Sequence, residues 1–185
     1  MSEWFETTEG LYRKAWQLLG RGVADRRSAA RHPVLATVAP DGWPQARTVV
    51  LRVADAVAAT LEIHTDKFSD KIVGLRDYPM AALHVWDAKL RLQIRAQAEV
   101  FIIAGVDADA AWSKVPDPAR EAYGTTPPPG TVIPDALAYD TPGNRAAFAI
   151  LHLRLVQLDL LHLGEDHRRA SFARDRDWRG QWLAP

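Results

Sequence analysis

Arg47-Thr48-Val49-Val50-Leu51-Arg52 reads as a strand with a cation at each end, and a dozen residues later His64-Thr65-Asp66 leads into Ser69-Asp70-Lys71. The second stretch reads as another strand that enters a polar loop and then starts a helix. A helix start offers free N–H groups and the positive end of its dipole, and Arg, Lys, Ser and Thr side chains add charge and hydroxyls. These are the parts of a phosphate cradle. The apolar strand between the arginines offers a surface for a flat ring, so the expected ligand is a phosphate-tailed, ring-bearing cofactor. Arg47 and Arg52 are five apart, and on a regular strand they face opposite ways, so a bulge or bend is needed before both can touch one ligand. Lys71 falls in the first turn of its helix, where a cation is unfavourable unless an anion sits nearby.

The elements that must position these residues follow from patterning. Ser2–Leu19 predicts an amphipathic helix capped by Ser2, with Glu3 and Glu6 in the first turn. Its apolar face is Trp4, Leu11, Ala15, Leu18 and Leu19, and Gly20 and Gly22 end it. Pro33–Ala39 and Gln45–Val53 predict two strands around the Asp41-Gly42 turn, and Thr60–Thr65 a third. Ser69 is the expected N-cap of a helix over Ser69–Asp77 that stops at Tyr78-Pro79. Met80–Trp86 and Leu90–Ile103 predict two further strands. Asp107–Lys114 and Pro118–Tyr123 look like short helices, and Gly124–Pro134 is a loop dense in proline and glycine, expected on the surface or across a site mouth.

Leu151, Leu153 and Leu155 keep one phase while Leu158 and Leu160 take the other, which places a bulge near Val156-Gln157. Strands over Arg168–Ala173 and Trp178–Leu183, around the charged turn Arg174–Asp177, complete a set of roughly eight. Strands in hairpin order and in this number predict a mainly β protein, an antiparallel barrel or sandwich with peripheral helices.

The chain has 185 residues, most simply one domain spanning 1–185, with 23 basic and 23 acidic residues. That balance provides no field to recruit nucleic acid or an anionic membrane. The absence of cysteine excludes disulfides, thiolate catalysis and thiolate metal sites. No apolar run is long enough to span a bilayer and no signal-peptide core is present, so the cytoplasm is the expected compartment. No Gly-x-Gly-x-x-Gly or P-loop occurs. His162 and His167 suggest no third metal ligand, and no metal site is expected.

The order of these motifs resembles the pyridoxamine-5′-phosphate-oxidase-like, FMN-binding split β-barrel family over nearly the whole chain. The resemblance rests on the Arg47–Arg52 strand, the His64-Thr65-Asp66 turn with Ser69-x-Lys71, and Leu83–Trp86 before the next hairpin. Arg91–Glu99 and the C-terminal basic strand with Trp178 and Leu183-Ala184-Pro185 complete it. It implies an antiparallel Greek-key split barrel with FMN as cofactor, Arg47 and Lys71 on the phosphate, and Ser69 and Thr65 assisting. The backbone of Thr48, Val49, Val50 and Leu51 would line the ring, with Arg52 near its polar edge. Arg91 and Arg169 would reach the flavin from the second subunit of a homodimer.

The departures are informative. Asp70 stands where relatives that oxidise pyridoxamine phosphate carry an arginine, their Ser-Arg-Pro-x-x-Ser-Gln run is missing from the middle segment, and a tryptophan expected near Asp159 is absent. The resemblance therefore implies a branch that retains the flavin site, lacks the vitamin-phosphate pocket, and performs FMN-dependent redox chemistry on a small organic molecule. A barrel binding deazaflavin or haem, and a flavin-binding module without turnover, remain the alternatives.

Overall fold

The computed structural model describes residues 3–185. Among them, nine strands form one antiparallel sheet. They are β1 (Val34–Val38), β2 (Pro44–Thr48), β3 (Leu51–Asp55), β4 (Thr60–Asp66), β5 (Met80–Asp87), β6 (Leu92–Ala104), β7 (Phe148–Leu163), β8 (His167–Ala173) and β9 (Gln181–Leu183). Helix α1 (Thr8–Ala24) precedes the sheet and α2 (Asp70–Asp77) follows β4, while the short α3 (Asp109–Trp112) and α4 (Asp117–Arg120) lie between β6 and β7. The mainly β, antiparallel expectation holds.

The strand order is β2-β1-β5-β6-β7-β4-β3, with β8 added beside β7 and β9 beside β8. β2 and β3 therefore lie at opposite ends of this path, yet only Val49 and Val50 separate them in the chain. Three residue steps reach no further than about 11 Å, so the sheet must roll until its two ends face each other. The ends do not pair; the barrel is split there, and the crossing segment bridges the gap. This corrects the single strand expected over Gln45–Val53. β2 bonds to β1 and β3 to β4, and between them Val49 N–H donates to the Pro33 carbonyl at 3.0 Å.

The two long strands carry the core. β6 points Leu92, Ile94, Ala96, Ala98 and Val100 inward, and β7 does the same with Leu151, Leu153 and Leu155 and then with Leu158 and Leu160. The phase change is a bulge at Val156: Gln97 faces Gln157, but Ala98 faces Leu155. One extra residue there returns the leucines to the interior, as the sequence pattern requires. The bulge also marks a change of partner. β7 pairs with β4 before it and with β8 after it.

The expected Ser2 cap lies outside the described residues. α1 starts later, at Thr7, whose Oγ1 accepts the Gly10 N–H at 3.0 Å, so Glu3, Trp4 and Glu6 precede the helix. Leu11, Ala15, Leu18 and Leu19 do form its buried face. Gly20 and Gly22 do not end it; it runs to Ala24 with Asp25 as C-cap. Gly22 instead permits close packing, since a Cβ there would lie 2.6 Å from the Ala30 carbonyl oxygen. The final strand is shorter than expected, because Asp177 and Trp178 adopt left-handed conformations in the turn and the Trp178 N–H closes back on Ala173.

Candidate functional site

The start of α2, which follows the end of β4, builds one wall of a cavity of about 450 Å³ with Ser69, Asp70 and Lys71. Asp66 shapes the turn between them: its buried carboxylate accepts the Phe68 N–H at 2.8 Å and, from the middle segment, the Gly124 N–H at 2.6 Å. Ser69 occupies the N-cap position of α2 but makes no side-chain cap bond. Its hydroxyl donates to the Asp66 carbonyl at 2.7 Å and accepts from Lys71 Nζ at 2.8 Å. Lys71 Nζ also donates to Thr65 Oγ1 at 3.0 Å. The opposite wall is the β1–β2 pair, in which Arg47 Nη1 donates to Thr37 Oγ1 at 2.6 Å and to the Leu35 and Gln45 carbonyls at 3.3 Å. Asp70 and the Pro129-Gly130 turn complete the lining.

The electrostatics of this cavity are unbalanced. Burial lowers the proton affinity of both Arg47 and Lys71, and Arg47 lowers that of Lys71 further. The opposing influences are the fields of Asp70 on both cations and of Asp66 on Lys71. Neither cation has a carboxylate within ion-pair distance among the described residues. Two half-desolvated cations bonded to hydroxyls and carbonyls, and facing a cavity, favour an anion.

The structure thus brings Arg47, Thr65, Ser69 and Lys71 together. Thr48, Val49, Val50 and Leu51 do not line this cavity, and the Leu51 side chain is buried in the core. Arg52 goes elsewhere. The β3–β4 register shifts between Leu51 and Val53, and Arg52 does not line the cavity. Its Nε is buried without a hydrogen-bond partner, and its charge acts on His64 and Tyr123. Burial, reinforced by Arg52, lowers the His64 pKa to about 4, while burial raises that of Tyr123. Because β4 alternates, His64 faces this second group and Thr65 the cradle.

Arg91, in a left-handed conformation, lines a separate cavity of about 470 Å³ with Trp4, Phe5, His162 and Arg168. Arg169 is held by Asp159 through Nε–Oδ1 at 3.1 Å and Nη2–Oδ2 at 2.7 Å. Within one chain, therefore, Arg52, Arg91 and Arg169 do not reach the cavity that holds Arg47. Thr37 was not legible as part of the site, whereas the Gly124–Pro134 loop, expected on the surface or across a site mouth, supplies Pro129 and Gly130 to the lining. Thr37 meets Arg47 only through the β1–β2 register, and no local motif announces it.

Comparison with known proteins agrees with this architecture. The sequence profile described as "Pyridoxamine 5′-phosphate oxidase, FMN-binding domain" matches residues 13–104. A pyridoxine/pyridoxamine 5′-phosphate oxidase of Alkalilimnicola ehrlichii is 35% identical over 82 residues, a match spanning 44% of this chain and 41% of that protein. Among solved structures, a pyridoxamine 5′-phosphate oxidase-related, FMN-binding protein from Nostoc punctiforme superposes with a TM-score of 0.75 at 27% identity, over 94% of this chain and 96% of that one. PhzG from Burkholderia lata, solved with tetrahydrophenazine-1-carboxylic acid, shares the fold with a TM-score of 0.74 at 18% identity, over 100% of this chain and 97% of its own. With its rolled antiparallel sheet, bulged central strand and profile match over the cradle-bearing strands, the chain belongs to the pyridoxamine 5′-phosphate oxidase-like, FMN-binding split-barrel family.

Proposed function

We propose that this protein binds FMN, with the phosphate in the Arg47–Thr65–Ser69–Lys71 cradle, and serves as an FMN-dependent oxidoreductase for a small organic substrate. The observation that carries the reading is the pair of half-desolvated cations without a carboxylate partner. The donor set suits a phosphate monoester: Arg47 offers a planar guanidinium, Lys71 a point charge, and Ser69 and Thr65 hydroxyls already oriented by Lys71. Thr48–Leu51 would present backbone groups to the ring, with the side chains of Val49 and Val50, while Leu51 stays in the core. When bound, FMN would supply the electron-transfer chemistry, and the chain would hold it and shape access. Arg52 and the neutral His64 would flank the ring on the far side of β4.

The working unit in this reading is a homodimer. Trp43, Met80 and Trp86 are exposed, and a mostly apolar cavity lined by Ala36, Val38, Pro44, Met80, Ala98 and Val156 opens on the same side as β1 and β5. Such a surface is larger than isolated exposed apolar residues and suits association with a second copy. Arg91 and Arg169 would then approach the partner's flavin.

The test is the visible spectrum of the purified protein, mass analysis of what heat denaturation releases, and the particle mass by light scattering. The expected result is a yellow dimer that releases FMN. A colourless protein that fails to take up added FMN, or a flavin-loaded monomer, would overturn the reading.

A further inference from the structure

The cradle contains an anion of its own. Asp70, the first residue of α2, lines the same cavity as Arg47 and Lys71 and acts electrostatically on both. Neither cation is within ion-pair distance of it, so its carboxylate is not consumed by a salt bridge among the described residues. The proline-rich loop closes on it from the other side. Gly130, at φ +89°, sits so near that a Cβ there would lie 2.8 and 3.0 Å from the two carboxylate oxygens. Its positive φ is what calls for glycine, and the near contact is with the end of the Asp70 side chain. The remaining lining groups, from Thr37–Pro40, Gln45, Ala46, Ser69 and Pro129, carry no charge. Asp66, the other carboxylate that Lys71 feels, is already bonded to the Phe68 and Gly124 N–H groups.

We infer that Asp70 sets the charge of the cradle so that it takes a singly charged phosphate, whose remaining O–H donates a hydrogen bond to the Asp70 carboxylate. The inference rests on the FMN reading above. Arg47 and Lys71 contribute two positive charges and Asp70 one negative. A phosphate monoester in its dianionic form would leave an excess negative charge and place two anions side by side. One proton from solvent removes both problems: it forms an O–H bond on a phosphate oxygen, hydrogen-bonds to the Asp70 carboxylate, and returns to solvent when the ligand leaves. A free phosphate monoester loses its second proton near pH 6. Above that pH, binding must take a proton up, and affinity then falls by up to about tenfold per pH unit.

The experiment titrates full-length protein, stripped of flavin, with FMN and with riboflavin from pH 6 to 8.5, following flavin fluorescence. Wild type is compared with Asp70→Asn and with Asp70→Ser, a second variant at this exposed position. The expected result is that wild-type affinity for FMN weakens by up to about tenfold per unit between pH 7 and 8.5 and levels off towards pH 6. Both variants should give flat profiles and bind FMN more tightly than wild type at pH 8.5, while riboflavin shows no slope in any of them. A flat wild-type profile would overturn the inference. So would a slope that persists in both variants, since the proton would then be taken up without Asp70. If wild type fails to prefer FMN over riboflavin at every pH, the FMN reading itself has failed and the inference goes with it.

Discussion

Two clusters of cations in this barrel contrast sharply. In the cradle, Arg47 and Lys71 are partly desolvated and bonded only to neutral oxygens, from Thr37, Leu35, Gln45, Thr65 and Ser69. On β6–β8, Arg169 and Arg95 converge on the buried carboxylate of Asp159, at 2.7 and 3.6 Å. Arg169 gains proton affinity from that contact, whereas both cradle cations lose it to burial. The second cluster is complete within the chain. The first has donors and charge but no carboxylate within ion-pair distance among the described residues, and that shortfall, rather than the presence of basic residues, is what motivates the proposed phosphate site.

The largest expected effect follows directly. Arg47→Ala and Lys71→Ala each remove a charge-assisted hydrogen bond to the phosphate, worth about 1.5–3 kcal/mol, so FMN affinity should fall by roughly ten- to hundredfold. Riboflavin, which has no phosphate, should lose little. Equal losses for the two ligands, read from paired fluorescence titrations, would remove the phosphate assignment and with it the contrast between the clusters.

Stability without ligand should separate the clusters in the opposite sense. Asp159→Asn strips two arginines of their shared carboxylate and should lower the melting temperature by a few degrees. Lys71→Met removes a cation whose burial is not offset, at the loss of two hydrogen bonds to hydroxyls, and should leave the flavin-free melting temperature unchanged or higher. Calorimetry that found both variants equally destabilised would show the cradle to be as internally satisfied as the Asp159 cluster.

Much of this arrangement was legible from local sequence. The leucine phase change around Val156 specified the bulge because burial tolerates only one face of a strand. The Ser69–Lys71 conflict at a helix start pointed to an anion, and the geometry places those residues with Arg47. What local sequence could not show was non-local. Gln45–Val53 alternates well enough to pass for one strand, and only the closure of the sheet reveals that Val49-Val50 crosses a gap. Gly22 resembles a helix stop, yet its role is the approach of Ala30, a contact invisible without the fold. Thr37 enters the cradle through the β1–β2 register, which no local motif encodes, and the Pro/Gly-rich loop could be expected at a site mouth without showing that Gly130 is the residue that meets Asp70.

The smallest expected effect concerns the group on the far face of β4. His64 titrates near 6.5 when exposed but near 4 in the fold, because burial and then Arg52 disfavour its charged form. The unfolded chain therefore binds more protons than the native one between those values, and stability must rise with pH from about 4 to 6.5. Solvent screening of this partly exposed ring limits the change to about 1–2 kcal/mol. His64→Gln should flatten that segment of the melting-temperature profile, and Arg52→Met should shift its midpoint upward by removing one of the two causes. The cradle substitutions should leave the segment unchanged, since Thr65 and His64 face opposite ways. Should Lys71→Met alter it as strongly as Arg52→Met, the two faces of β4 would be one electrostatic unit, and the separation of Arg47 from Arg52 would lose its functional meaning.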